Sequence, residues 1–397
     1  MQAWLDALGL VCALGQDRAT IAAGLARGDT GGMRADDRWV SGRHLTVGAV
    51  PGELPAVPAE LAGQDTRNNR LLLAALEQIA APLALAIERY GRARIGVVLG
   101  TSTAGIEESS QGIAGLVRNG VLPDSYSYLH QELVAPASFL RRRLDLQGPC
   151  YSISTACTSS ARALQSARRL LRQGLCDAVI CGGVDSLARL TLNGFAALEA
   201  VSDELCNPFS ANRHGINIGE AAALFLMTRE PLTRTTQPIA LLGAGASSDA
   251  HHISAPEPSG RGAREAMQAA LADAGLAPEQ IHYLNLHGTA TRHNDAMESL
   301  AVAGLFPAGV PCSSSKPLTG HTLGAAGALE AAFCWLSLAG EAPLPPHRWD
   351  GAADPELPAL QLVGEGQPLP QEGPRYLMSN SFAFGGNNVS LILGDTA

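Results

Sequence analysis

Ile95-Gly96-Val97-Val98-Leu99-Gly100 is apolar at every position and ends in glycine, and Asp177 to Gly183 has the same character after its opening aspartate. A strand with one wet face alternates apolar and polar residues. Runs without alternation are strands buried on both faces, which requires a sheet covered by helices on each side. Between these runs lies a helical pattern, Cys157 to Gln173, with Ala161, Leu164, Ala167, Leu170 and Leu171 on one face and Arg162, Arg168, Arg169 and Arg172 elsewhere. Gly174 follows as its stop. A β-α-β order of this kind predicts right-handed crossovers and mostly parallel strands.

The alternation continues along the chain. Leu8 to Gly15 reads as a short buried strand and Asp17 to Arg27 as an amphipathic helix; 30 to 65 reads as loop with short strands, and Asn69 to Arg89 as one long helix. Leu144 to Thr155 reads as a β-like lead into the Cys157 helix. Strands are expected at 221–228, 239–245, 281–286, 310–315, 376–379 and 389–393, and helices at 262–274 and from about Leu323 to Leu338. Strand, small-residue turn and Ala-rich helix occur at 150–173 and again at 310–338, an echo of two related halves.

Composition narrows the function. A formal charge of −9 argues against a general nucleic-acid binder. The 8 cysteines include no CxxC pair, so a zinc site is not expected and the thiols read as reduced and cytosolic. No secretory leader and no apolar run of ~18 residues is apparent, so a cytoplasmic chain without a membrane span is expected. Of 28 basic residues, all but Lys316 are arginine. The two cations differ in geometry and hydration, so a single retained lysine marks a place where arginine will not serve.

Four stretches carry chemistry. Cys157, in TACTSS, sits where a strand runs into a helix; the positive end of the helix dipole favours a thiolate there, although this segment by itself fits a packing thiol equally well. His287, in HGTAT, ends a buried strand, where functional groups of open α/β sheets gather. Lys316 and His321 stand five apart in KPLTGHTLGAAGA, ahead of a helix small enough for close backbone approach. Phe384 lies in NSFAFGGNN, a glycine turn able to aim N–H groups at a ligand.

Together, in this order and spacing, these motifs resemble the β-ketoacyl–acyl carrier protein synthases of the Cys-His-His type, in the thiolase-fold superfamily, over nearly the whole chain. The resemblance implies an α/β, thiolase-like fold: two similar βαβαβαββ halves, 1–240 with the cysteine and 241–397 with both histidines and the lysine, forming a layered α-β-α-β-α sandwich. It implies an acyltransferase that takes an acyl group onto Cys157 and extends it by decarboxylative condensation with malonyl–carrier protein. His287 and His321 correspond to the donors at the malonyl thioester carbonyl, Lys316 to the organising lysine, and Glu330 to its ion-pair partner. Backbone N–H groups of Cys157 and Phe384 correspond to the oxyanion hole, and Phe384 to a gate before the acyl pocket. Asp249, in a facing loop, is assigned to gating. Thr103, Thr289, Thr291 and Gly385 are assigned to substrate binding.

The implied partner is an acidic acyl carrier protein bearing substrates on phosphopantetheine, with no further cofactor or metal. Arg67, Arg70 and Arg118, and the run Arg141-Arg142-Arg143, are candidate docking cations. A dimer is implied, either of identical chains or with a related synthase-like subunit. Two departures stand out: AFGGNN where the family has GFGGTN, and Asn212 to Ala222 where it has DRDGFxxGEGAG, with Gly215, Gly219 and Glu220 kept. Acyl length, primer and pathway stay open. Against a coenzyme A-dependent thiolase or initiating synthase stand His321 in its GHTLGAAG setting and the absence of a cysteine after Cys334; against a non-catalytic chain-length-factor-like subunit stands Cys157.

Overall fold

The computed structural model describes residues 2–233, 238–370 and 372–395. Its strands in chain order are β1 (Ala3–Val11), β2 (Met33–Asp36), β3 (Leu45–Gly48), β4 (Ile95–Gly100), β5 (Cys150–Ile153), β6 (Ala178–Asp185), β7 (Ile218–Gly219), β8 (Ala221–Thr228), β9 (Ile239–Ser248), β10 (Tyr283–Asn285), β11 (Pro311–Ser313), β12 (Gln361–Leu362), β13 (Tyr376–Ala383) and β14 (Asn387–Asp395). Eleven form one hydrogen-bonded sheet in the order β12-β11-β10-β13-β14-β9-β1-β8-β6-β4-β5; β2, β3 and β7 form a small second sheet.

The large sheet is two matching series joined at β1–β9 by only two residue pairs. From the joint outward, one side runs β1, β8, β6, β4, β5 and the other β9, β14, β13, β10, β11. In both, the first two contacts are antiparallel and the next two parallel. The division placed at 240 falls inside β9, which starts at Ile239.

Layering follows from which faces are apolar. Helices Ser159–Arg172 and Ala326–Leu338 touch each other and strands of both series, so they form the middle layer. Every residue of Ala326–Leu338 is buried, as suits a helix apolar on all sides but for Glu330 and Ser337. Arg67–Gln78 covers β1 and β8 on one outer face; Arg261–Ala274 covers β9 and β14 on the other. Three separate apolar clusters fill the spaces between these layers, giving the expected α-β-α-β-α order. The glycine ending the first apolar run has a definite purpose: a Cβ on Gly100 would lie 2.2 Å from the backbone N of Ser160, so only glycine lets the middle helix start against the strand ends.

The single helix expected over 69–89 is broken. Arg67–Gln78 and Ala80–Tyr90 meet at a 77° bend, with Ile79 out of helical geometry. Pro82 has no N–H to give the preceding turn, so it sits in the first turn of a new helix instead. The β-like lead shrinks to Cys150–Ile153, because Ala135–Leu144 is a helix ended by Asp145 in the left-handed region. No single helix among the described residues is long and apolar enough to cross a membrane.

Candidate active site

Cys157 stands on an elbow. β5 ends at Ile153, Ala156 takes φ +52°, and the helix begins at Ser159 rather than at Cys157. Side chains of the following turn hold the elbow: Ser159 Oγ accepts from Thr155 N–H at 2.9 Å and donates to Ala156 O at 2.6 Å, and Thr158 Oγ1 donates to Thr155 O at 2.7 Å. Local hydroxyl bonds of this kind stabilise non-helical backbone ahead of a helix.

The other groups arrive from the far series. His287 follows β10, and Lys316 and His321 follow β11. His321 Nε2 lies 3.0 Å from Cys157 Sγ. The two imidazoles meet edge to face with centroids 5.3 Å apart. Lys316, 2% exposed, places Nζ 2.5 Å from Glu330 Oε1 and 3.5 Å from His287 Nδ1. The expected Lys316–Glu330 partnership is thus present; each charge would be costly alone at that depth. An ammonium can only donate, so His287 Nδ1 is the accepting nitrogen and its Nε2 carries the proton. Behind His287, the fully buried Glu298 accepts the N–H of His287 at 2.8 Å and of Gly288 at 2.7 Å, and the Asn380 amide at 3.3 Å.

Burial and the charge of Lys316 hold both histidines well below the usual imidazole range, with His321 adding to the effect on His287. Both rings are therefore neutral near pH 7. The thiol departs from the sequence expectation. Burial pushes Cys157 up to about 12, against the pull of Lys316 and of the N–H groups of Phe384 and Cys157 directed at the sulfur. The helix dipole is outweighed by loss of water, so the resting sulfur is a thiol. Sγ and the nearest nitrogens of His287 and His321 lie within 4.8 Å of one another, a spacing that would suit a metal. Lys316 already supplies a positive charge beside them, which opposes a second cation.

The site opens on a cavity of about 570 Å³ lined by Cys157, His287, His321, Thr289, Thr291 and Phe384 among others. Thr289 Oγ1 and Thr291 Oγ1 are 2.9 Å apart. The Phe384 ring, 36% exposed, packs on Phe195 with centroids 5.6 Å apart.

Other assignments change. Thr103 is buried away from the cavity, with its hydroxyl donated to Asp185 at 2.7 Å. Gly385 does not line the cavity either; at φ +83° it forms the turn and gives its N–H to Ile253 O. Asp249 is buried behind that turn rather than facing the cavity. Its carboxylate accepts Asn388 Nδ2 at 2.7 Å and Glu257 N–H at 2.9 Å, and its own N–H goes to Gly386 O. Arg67 is not a free docking cation, because Nε and a terminal nitrogen are held by the fully buried Glu220. Arg70 is held by Asp65 through two bonds of 2.6 Å. Arg118 donates Nε to Ala114 O, and no acidic partner meets it among the described residues.

Sequence reasoning missed Asp185 and Glu298 as buried carboxylates at the site. A signal existed for Asp185: an acid ending an otherwise apolar buried strand.

The β-ketoacyl synthase N-terminal domain model matches residues 11–231, and the β-ketoacyl synthase C-terminal domain model matches 239–348. The chain belongs to the β-ketoacyl synthase family. Members of this family are condensing acyltransferases. Nodulation protein E of Rhizobium meliloti is 31% identical over 362 residues, 88% of each chain. The 3-oxoacyl-[acyl-carrier-protein] synthase 2 of Coxiella burnetii is 32% identical over 330 residues, 78% of this chain and 77% of that one. Among solved structures, a chain from the ketosynthase ApeO in complex with its chain length factor ApeC, from Xenorhabdus doucetiae, matches with TM-score 0.93 and 49% identity over 100% of this chain and 98% of that one. A β-ketoacyl synthase from Burkholderia phymatum matches with TM-score 0.87 and 30% identity over the full length of both.

Proposed function

We propose that this β-ketoacyl synthase is a 3-oxoacyl–acyl carrier protein synthase in fatty-acid or polyene/polyketide-type elongation. The observation that carries this reading is the buried Cys157 thiol, 3.0 Å from His321 Nε2, with neutral His287 alongside and the Phe384 N–H directed at the sulfur. Cys157 Sγ attacks the acyl thioester carbonyl of an acyl–carrier protein, and the thiol proton leaves with the pantetheine sulfur. The N–H groups of Cys157 and Phe384 are placed for the oxyanion formed on the way. Malonyl–carrier protein then enters. His287 Nε2–H, with its tautomer set by Lys316, donates to the malonyl thioester oxygen, and His321 shares that role. Carbon dioxide departs, charge collects on that oxygen, and the resulting carbanion attacks the acyl carbonyl on Cys157. The new carbon–carbon bond forms as Sγ is released as a thiolate, which takes a proton from water to restore the resting thiol. Thr289 and Thr291 line the path of the pantetheine arm. Phe384 gates the acyl pocket, with Asp249 holding the facing loop. The substrates bring their own phosphopantetheine, so no further cofactor is invoked.

The carrier protein is the acidic partner, and Arg118 and the run Arg141-Arg142-Arg143 are the docking candidates that meet no acidic side chain among the described residues. A second subunit covers the open edge. Among the described residues β5 ends the sheet with one side unpaired, and Val117, Val121 and Tyr128 nearby in sequence to that series are 80%, 66% and 66% exposed. That subunit is a second copy or a synthase-like sister, as in the ketosynthase–chain length factor complex it resembles. We retain the division into 1–240 and 241–397, the first half giving the thiol and the second both histidines and the lysine, and a cytoplasmic location.

A purely shaping, non-catalytic subunit would need no nucleophile. Incubation with a panel of acyl–carrier proteins followed by mass spectrometry should find acyl groups on Cys157. A Cys157→Gln variant that still joined acyl and malonyl groups without any partner subunit would sink the proposal.

A further inference from the structure

Asp185 is the last residue of β6 and is fully buried. A carboxylate in that position is costly unless donors surround it. The turn after β4 supplies most of them. Thr101 Oγ1, Ser102 N–H, Thr103 N–H and Thr103 Oγ1 donate to Oδ1 at 2.7 to 2.8 Å. Ser102 N–H also reaches Oδ2, at 3.1 Å, and the shorter contact to that oxygen crosses to the other series, where Gly324 N–H donates at 2.6 Å.

Gly324 lies three residues beyond His321. Between them Leu323 takes φ +51°, a conformation a branched apolar side chain rarely adopts unless its surroundings impose it. On its near side the His321 backbone is held by its N–H to Asn217 O at 2.7 Å and its carbonyl to Gly219 N–H at 3.0 Å. On its far side the turn is held through Gly324. A Cβ on Gly324 would come within 2.7 Å of Asp185 Oδ2 and 2.8 Å of Ser102 Oγ, so the fit there leaves no slack.

We propose that Asp185 is a positioning residue for His321. By capturing Gly324 N–H it holds the His321–Gly324 turn in its left-handed form and keeps Nε2 aimed at Cys157 Sγ. Neither Asp185 nor its donors line the cavity, so it acts through His321 and not on substrate. The inference rests on the ketosynthase reading above.

The test separates two half-reactions in the intact, partnered protein: acylation of Cys157 by mass spectrometry, and carbon dioxide release from malonyl–carrier protein. Asp185→Asn should lower kcat for carbon dioxide release about a hundred-fold, the scale of an ångström of misplacement, with KM for malonyl–carrier protein nearly unchanged. Acylation should fall by less than about ten-fold, because Cys157 is held by its own elbow. The double variant Thr101→Val, Thr103→Val strips hydroxyl donors from Oδ1 but leaves the Gly324 contact. It should lose stability while both half-reactions stay within about three-fold of wild type. Equal slowing of both half-reactions by Asp185→Asn, or a lowered melting temperature with neither slowed, would overturn the proposal. So would failure of both Asp185→Asn and Asp185→Ser to fold, since Asp185 would then be structural only. A wild-type protein that releases no carbon dioxide would overturn the ketosynthase reading and this inference with it. An unaffected Asp185→Asn beside an active wild type overturns the inference alone.

Discussion

The turn after β5 and the turn after β11 occupy matching places on the two sides of the sheet, and their backbones match closely. In the first, Ala156 takes φ +52°, Cys157 follows, and a middle-layer helix starts at Ser159. In the second, Leu323 takes φ +51°, Gly324 follows, and the other middle-layer helix starts at Ala326. Cys157 and Gly324 are therefore counterparts. The strands facing them are counterparts too. The N–H of Phe384, just past β13, is directed at the Cys157 sulfur, while the carboxylate of Asp185, ending β6, takes the N–H of Gly324. One elbow presents a side chain to a cavity. The other has no side chain and is locked by an ion. The comparison teaches that this architecture makes the same strained turn twice, and that reactivity depends on what fills it: a thiol with N–H groups beside it, or a glycine with a carboxylate against it.

The largest expected effect tests the contents of the second turn. Lys316→Met should destabilise the protein by about 3–5 kcal/mol, because it leaves Glu330 buried without its partner. Lys316→Met, Glu330→Leu together should recover most of that in urea unfolding, while carbon dioxide release stays low. Recovery of activity in the double variant would show that the pair serves stability alone.

Next comes the division of labour between the two turns. His321→Ala should lower carbon dioxide release from malonyl–carrier protein by about 10²–10³, the usual cost of losing one donor to a developing oxyanion. Acyl transfer to Cys157 should persist, because the elbow and its N–H groups are untouched. If both half-reactions were lost equally, the turns would not be separable.

A smaller effect probes the locked elbow. Gly324→Ala forces a Cβ against Asp185 and Ser102, and should cost about 1–3 kcal/mol by thermal denaturation. Gly194→Ala, on a glycine with open space around it, is the matched control and should change little.

The smallest effect concerns the reactive elbow at rest. Since burial raises the Cys157 thiol to about 12, the thiolate fraction at neutral pH is low and must rise as pH rises. Iodoacetamide labelling of Cys157, followed by peptide mass spectrometry, should accelerate about ten-fold per pH unit from pH 7 to 9 without levelling off. A plateau below pH 8 would mean that the helix dipole and Lys316 overcome burial after all.

Much of this was legible in the chain before folding. Runs such as Ile95–Gly100 lack alternation, so only a doubly covered sheet can hold them. The solitary lysine, the two histidines ahead of small residues and the glycine turn at Phe384 pointed to the site, because their residue types and order carry the chemistry. The Lys316–Glu330 pairing was legible through the family resemblance, which places the lysine's partner at Glu330. The misplaced assignments share one cause. Arg67 and Arg70 were read from their helical spacing and Thr103 and Asp249 from the family resemblance, in each case without sight of the partner that occupies the side chain: Glu220, Asp65, Asp185 and Asn388. Except for Asp65, those partners lie far along the chain, and spacing does not reveal a contact across the sheet.

By itself, then, the sequence determined the α/β class, since periodicity is a local property, while the layered sandwich and the reacting groups came from the resemblance that its four motifs carry together. Tertiary structure alone decided which arginines are free, that the resting sulfur is a thiol, and that Asp185 reaches Gly324. Each of those depends on what surrounds a group in three dimensions. Burial removes the water that would stabilise a thiolate, and packing brings a carboxylate on β6 within 2.6 Å of a backbone N–H 139 residues away.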